Sequence, residues 1–193
     1  MEQDAAILSP AEIGRIARRI DRPVVLVGMM GVGKTTVGRK LASLLHLPFV
    51  DADEEIEQAA QMPIPEIFST YGEPYFRSGE RRVIARLLGA GRHVDRKVLS
   101  TGGGAFCDPA TRAQILENGI AVWLDSDVET LVGRVGRKDN RPLLRTGDPR
   151  EIITRLKTER EPFYSQAHIR VVSAAQPHQV TACAILKAID EWL

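Results

Sequence analysis

A chain of 193 residues that is 44% hydrophobic and 26% charged lies in the range of ordinary globular proteins, and its length suits one compact α/β domain. Lys plus Arg number 26 against 25 for Asp plus Glu, so the net charge of +1 sets up no global field for nucleic acid or anionic lipid, and any anion site must be local. Cys107 and Cys183 are far apart and show no CxxC spacing, which argues against a disulfide framework and a zinc site and points to reduced thiols and a cytoplasmic address.

The N-terminus begins Met-Glu-Gln-Asp without a basic region followed by a long apolar stretch, and no later segment approaches a spanning helix, so neither secretion nor membrane insertion is expected. Residues 9 to 20 open with Ser9 as a helix cap and Pro10 at the first helical position, then place Ile13, Ile16, Ala17 and Ile20 at helical spacing. This predicts an N-terminal helical extension over residues 1–22, outside a main domain of 23–193. Val24 to Val27 is a continuous apolar run ended by glycine, the pattern of a strand buried on both faces of a parallel sheet.

A glycine-rich turn and an amphipathic helix come next, with Pro48 beyond the helix end. Further strands are expected at 49–51, 98–100, 120–124 and 168–172. Helical stretches are expected near 53–60, 64–71, 73–89, 109–118, 127–135, 148–166 and 178–192. Strands alternating with helices imply a parallel sheet covered on both faces. Residues 133–147, GRVGRKDNRPLLRTG, carry no long amphipathic period and read as a lid that closes over ligand. The span GAGRHVDRK at 89–97 reads as a basic surface loop.

Gly28-Met29-Met30-Gly31-Val32-Gly33-Lys34-Thr35 matches the P-loop pattern G-x-x-x-x-G-K-[ST] at every fixed position, between a buried strand and an amphipathic helix, where such a loop must lie. Glycines let consecutive backbone N–H groups turn around a phosphate, and the helix after them adds the positive end of its dipole. Lys34 can reach the β- and γ-phosphates, Thr35 offers a hydroxyl to Mg²⁺, and Thr36 completes the nucleotide-contacting run. The expected donor is therefore ATP, as MgATP.

Asp51 and Asp53 lie at the carboxyl end of the second strand, where open α/β sheets bind ligands. An extended backbone through Asp53 would point both carboxylates into one site, one for Mg²⁺ and one for an attacking hydroxyl. A helix-capping role for Asp53 is the alternative. Val98 to Thr101 is another buried strand, and it runs into Gly102-Gly103-Gly104. Three residues without side chains suit a loop where ligand atoms touch peptide groups; a turn needing unusual dihedrals is the competing explanation. Ser100 stands where many P-loop proteins carry a second metal-helping acid, so its contact with Mg²⁺ is expected to run through water.

With the P-loop, Asp-x-Asp, Phe76-Arg77-Ser78-Gly79-Glu80, the triple glycine and Arg141-Pro142-Leu143-Leu144 in this order, the chain from about Pro23 to its end resembles the shikimate kinases. That resemblance implies a single P-loop domain with a five-stranded parallel sheet in the order 2-3-1-4-5. It also implies transfer of phosphate from MgATP to the 3-hydroxyl of shikimate. Carried over, Asp53 grips the shikimate hydroxyls and orients or deprotonates the acceptor, while Arg77 and Arg160 pair with the substrate carboxylate and Gly102, Gly103 and Gly104 lie along its ring. Thr35 and Asp51 become the metal-side partners, Arg134 stacks on adenine, and Arg141 closes over the phosphates as a cis-acting finger. The implied partner is a small molecule, with neither nucleic acid nor membrane, and the expected state is a monomer. A gluconate-type sugar kinase shares the P-loop and the size but fits the triple glycine poorly. A nucleotide-binding regulatory module would have no use for Lys34, Asp53 and Arg141 together.

Overall fold

The computed structural model describes residues 8–89, 95–135, 147–174 and 176–193. Its five strands form one parallel sheet in the order β2-β3-β1-β4-β5: β1 Val24–Val27, β2 Phe49–Asp51, β3 Val98–Ser100, β4 Ile120–Asp125 and β5 Ile169–Val172. The order expected from the family resemblance is the order found. Every residue of β1, β3 and β4 is buried, as their unbroken apolar runs require of strands covered on both faces. At the edge, β5 alternates buried and exposed residues, since its pleat packs on one side only.

The helices are α1 Pro10–Arg19, α2 Lys34–Leu45, α3 Ala52–Ala60, α4 Ile64–Leu87, α5 Pro109–Asn118, α6 Val128–Val135, α7 Pro149–Tyr164 and α8 His178–Trp192. A single turn of 3₁₀ helix covers Ala105–Cys107. Where the sequence predicts separate helices over 64–71 and 73–89, α4 is one helical run broken by Gly72, whose φ of 80° and ψ of 171° are non-helical. Pro74 lacks the N–H that an unbroken helix would use there, so the two halves meet at an angle.

The predicted N-terminal helix is present with a full capping box: Ser9 Oγ accepts from the Glu12 N–H, and Glu12 reaches back to the Ser9 N–H at 2.8 Å. Its apolar stripe drives Ile16 and Ile20 completely into the core shared with the sheet, against α2 and α8. Arg15 and Arg19 clasp Asp190 of α8, and Arg96 donates to the carbonyls of Ala17 and Ile20, near the amino ends of the strands.

The strand registers align the opposite, carboxyl ends. Leu26 pairs with Ser100 and Ser100 with Asp51, so the chain leaves three neighbouring strands at one level. Because β3 lies between β2 and β1, the segment leaving β3 must sit between the segments leaving β2 and β1.

Ile16→Ala removes a buried side chain far from that face. It should cost about 2–4 kcal/mol of unfolding free energy, measured by denaturant titration, while ligand affinity at the carboxyl end of the sheet stays unchanged.

Candidate active site

The loop after β1 wraps back on itself through glycines with positive φ. Gly28 has φ 135°, and a Cβ there would lie 2.3 Å from the backbone oxygen of Leu124 on β4. That atom cannot move aside, so this glycine is demanded by the sheet as much as by any phosphate. Gly33, with φ 99°, caps α2, leaving the first N–H groups of the helix without a side-chain partner and facing the loop. Lys34, nearly buried, donates from Nζ to the carbonyls of Gly28 at 2.8 Å and Met29 at 3.0 Å, which fixes its ammonium over the cradle. Met29 and Val32 are buried, Met30 and Gly31 are partly exposed, and Thr36 lies exposed in the first turn of α2.

Thr35 Oγ1 donates to Asp51 Oδ2 at 2.9 Å, which brings a hydroxyl and a carboxylate together at the start of α2. Hard oxygen donors of this kind fit Mg²⁺. Among the described residues, no group of three or more His, Cys, Asp and Glu side chains forms a metal cage.

The Asp-x-Asp segment is not extended throughout. The strand stops at Asp51, whose Oδ1 accepts from the Asp53 N–H at 3.0 Å and so caps α3, and Asp53 already lies in the first helical turn. Capping belongs to Asp51, not to Asp53, because the side chain one residue before a helix is placed to satisfy its free N–H groups. Asp53 still reaches the same site by another route: a Cβ on Gly102 would lie 3.0 Å from its Oδ1. Burial raises the Asp53 pKa first and the Asp51 charge raises it further, while Lys34 and Arg77 pull it back. A carboxyl sensing Asp51, Lys34 and Arg77 at once stands at the junction of the two halves of the site.

Between them passes the triple glycine. Thr101 ties it to the end of β1, both its N–H and its hydroxyl donating to the Leu26 carbonyl. A Cβ on Gly102 would lie 2.9 Å from Glu80 Oε1 as well as close to Asp53; on Gly103, 3.2 Å from the Met30 nitrogen and 3.5 Å from Arg160 Nη1; on Gly104, 2.6 Å from Arg77 Nη2. None of the three has a positive φ. The run is glycine for space and not for dihedral freedom, which sets aside the explanation by unusual dihedrals.

Arg77 lies across Gly104 and donates to Glu73, and at 2.7 Å to Glu80 Oε2. Glu80 is 2% exposed, and its Oε1 has no hydrogen-bond partner among the described residues. Burial raises the Glu80 pKa, with Arg77 opposing it. Arg160 donates to the Gly103 carbonyl at 3.2 Å, and so does the hydroxyl of Tyr164, one turn further along α7. Burial pushes the Tyr164 phenol up, so it remains a proton donor to that carbonyl. Tyr164 is a site residue that the sequence motifs do not single out, although its spacing of four from Arg160 places both on one helix face.

Arg134 turns toward the phosphate loop. It donates to the carbonyls of Val32 at 3.0 Å and Ala174 at 2.9 Å, which braces the loop against the chain leaving β5. Arg141 and most of the predicted lid, 136–146, lie outside the described residues. Both cysteines are free thiols; Cys183 is buried, and Cys107 lies in the 3₁₀ turn beyond the triple glycine.

Residues 30–190 match the family model described as shikimate kinase. The shikimate kinase of Novosphingobium aromaticivorans is 82% identical over 193 residues, covering 100% of both chains. That of Rhodopseudomonas palustris is 51% identical over 98% of this chain and 91% of its own. A solved shikimate kinase from Acinetobacter baumannii in complex with shikimate superposes with a TM-score of 0.83 at 36% identity, covering 91% of this chain and 97% of that one. A cradle, an acid and two guanidinium groups gathered along one bare stretch of backbone thus occur in a chain that belongs to the shikimate kinase family.

Proposed function

We propose that this protein transfers the γ-phosphoryl group of ATP to the 3-hydroxyl of shikimate, giving shikimate 3-phosphate and ADP. The observation that carries the proposal is the contact made by each of three successive glycines: Gly102 against Asp53 and Glu80, Gly103 against the phosphate loop and Arg160, Gly104 against Arg77. A ring carrying a carboxylate and adjacent hydroxyls can lie on that ledge with its acid end toward the arginines and a hydroxyl toward Asp53.

Phosphoryl transfer of this kind demands positioning and charge neutralisation more than covalent help. The N–H groups from Gly28 to Thr36 would hold the phosphates, with Lys34 Nζ leaving the Gly28 and Met29 carbonyls for the β- and γ-oxygens. Thr35 and Asp51 would hold Mg²⁺, which when bound neutralises charge on the β- and γ-phosphates. Asp53 orients the acceptor hydroxyl and takes its proton, a task helped by the proton affinity that burial and Asp51 confer. Arg77 and Arg160 present paired N–H donors to the substrate carboxylate, a geometry lysine does not supply. Arg134 would flank the adenine, and Arg141 would complete neutralisation from the lid at about 133–147. We assign this machinery to residues 23–193, with 1–22 as an N-terminal extension, in a monomeric cytoplasmic enzyme without nucleic-acid or membrane partners. No described helix is long and apolar enough to cross a membrane.

A coupled assay with shikimate, gluconate and nucleoside monophosphates tests the reading directly: ADP should form only with shikimate and only with Mg²⁺ present. Turnover of ATP that ignores shikimate would overturn it. Arg160→Ala should raise KM for shikimate roughly 10- to 150-fold, corresponding to about 1.5–3 kcal/mol for a charged hydrogen bond, with KM for ATP little changed. Arg160 is the cleaner target, because removing Arg77 would also strand the buried Glu80. Equal effects on both substrates would refute the clamp.

Asp53 carries a second consequence. Its folded pKa is raised, so the folded chain holds more protons than the unfolded chain as pH climbs from the ordinary aspartate value through the folded one, and stability falls over that window. Asp53→Asn removes that loss. We expect kcat to fall by about 10²–10⁴ while the Tm at neutral pH rises. A lower Tm, or kcat kept within about tenfold, would contradict the role given to this carboxylate.

A further inference from the structure

The helix that carries Arg160 has little apolar grip. Along its 16 residues, only Ile153 and Tyr164 of α7 are buried, yet its guanidinium reaches the Gly103 carbonyl. A polar contact fixes it. Lys157 Nζ donates to Asp125 Oδ1 and to the Ser126 carbonyl, both at 2.6 Å, at the carboxyl end of β4. Lys157, Arg160 and Tyr164 lie at i, i+3 and i+7, so one stripe of α7 makes the contact to β4 and both contacts to Gly103.

Asp125 is built to hold that lysine. The residue is 8% exposed, and its carboxylate also accepts from the Ser126 N–H at 2.8 Å and from Arg170 Nη2 at 2.6 Å. Burial alone would raise its pKa, but Lys157 and Arg170 outweigh that and keep the group ionised. Arg170 in turn covers the Trp123 ring, which stacks on Tyr164. The same corner continues toward the nucleotide. The Asp125 carbonyl accepts from the Ser173 N–H, Ser126 Oγ donates to the Ser173 carbonyl, and Ser173 Oγ donates to Val32 of the phosphate loop at 3.2 Å. One polar path therefore runs from the cradle to the helix bearing the acceptor arginine.

We propose that Lys157 and Asp125 are positioning residues, a buried-end ion pair that sets the rotation and height of α7 and so aims Arg160 at the acceptor in register with the phosphate loop. Neither residue touches the reacting atoms. The kinetic consequence rests on the shikimate reading above; the structural one does not.

Lys157→Met keeps the aliphatic stem and deletes the pin. It should raise KM for shikimate about fivefold or more and leave KM for ATP within twofold, and Lys157→Arg should restore the shikimate KM to within about threefold. Arg170→Met removes the other cationic partner of Asp125 but keeps the Lys157 bond to it, and should leave the shikimate KM within twofold even where it lowers Tm. An unchanged shikimate KM in Lys157→Met, or an equal rise in Arg170→Met, would overturn the proposal. Amide hydrogen exchange over residues 157–164 of the protein alone gives a second readout. It should quicken in Lys157→Met and not in Arg170→Met, and identical exchange in wild type and Lys157→Met would likewise overturn the pin. Should wild type fail to phosphorylate shikimate, the proposed function falls and the exchange comparison still decides this inference.

Discussion

The arrangement at the carboxyl end of the sheet depends on a steric constraint: between residues 102 and 104 there is no room for side chains. Sheet order puts this stretch, at the exit of β3, between the acid-bearing turn after β2 and the phosphate loop after β1. A methyl group on Gly104 would displace the Arg77 guanidinium, and one on Gly102 would meet two carboxylates. Because the backbone alone occupies this narrow space, groups from three strand ends and two helices can converge without competing for volume. Bare backbone has a further advantage, since its amides and carbonyls are held by the sheet and need no ordering when a ligand arrives.

Gathering like charges around that ledge has an energetic cost that the fold has to absorb elsewhere. Asp53 and Glu80 both have raised pKa values because burial disfavours their charged forms, and both face Gly102. The guanidinium of Arg77 offsets part of this, and its bond to Glu80 shows why removing Arg77 would leave an uncompensated buried carboxylate. Strain of this kind is ordinary at sites selected for activity over stability. The compensating order lies in fully buried β1, β3 and β4, and in helix α1, whose Ile16 and Ile20 extend the same core near the other end of the strands.

Much of this is legible in the amino-acid sequence, for identifiable reasons. Unbroken apolar runs mark the central strands because burial on both faces leaves no polar position, and the P-loop is legible because each of its residue types answers a separate need. The Asp-x-Asp pair is harder. Strand periodicity assumes an unbroken strand, whereas Asp51 ends it by capping α3. Which role the triple glycine plays is undecidable from sequence, because freedom of dihedral and shortage of space both select glycine and only the surrounding atoms tell them apart. Tyr164 and Lys157 escape notice because helical spacing to Arg160 becomes informative only once the helix is known to face Gly103 and the end of β4.

The sheet's two ends divide the labour, and the division explains where specificity can arise. Toward the amino ends, apolar packing and the Arg15, Arg19 and Arg96 contacts secure α1. At the carboxyl ends polar acceptors are shared: Gly103 accepts from Arg160 and Tyr164, and Val32 from Arg134 and Ser173. Shared acceptors couple the parts that use them, since a shift in one donor changes the position left to the other. The phosphate loop and α7 are thus joined through the end of β4, by way of Ser173, Ser126, Asp125 and Lys157.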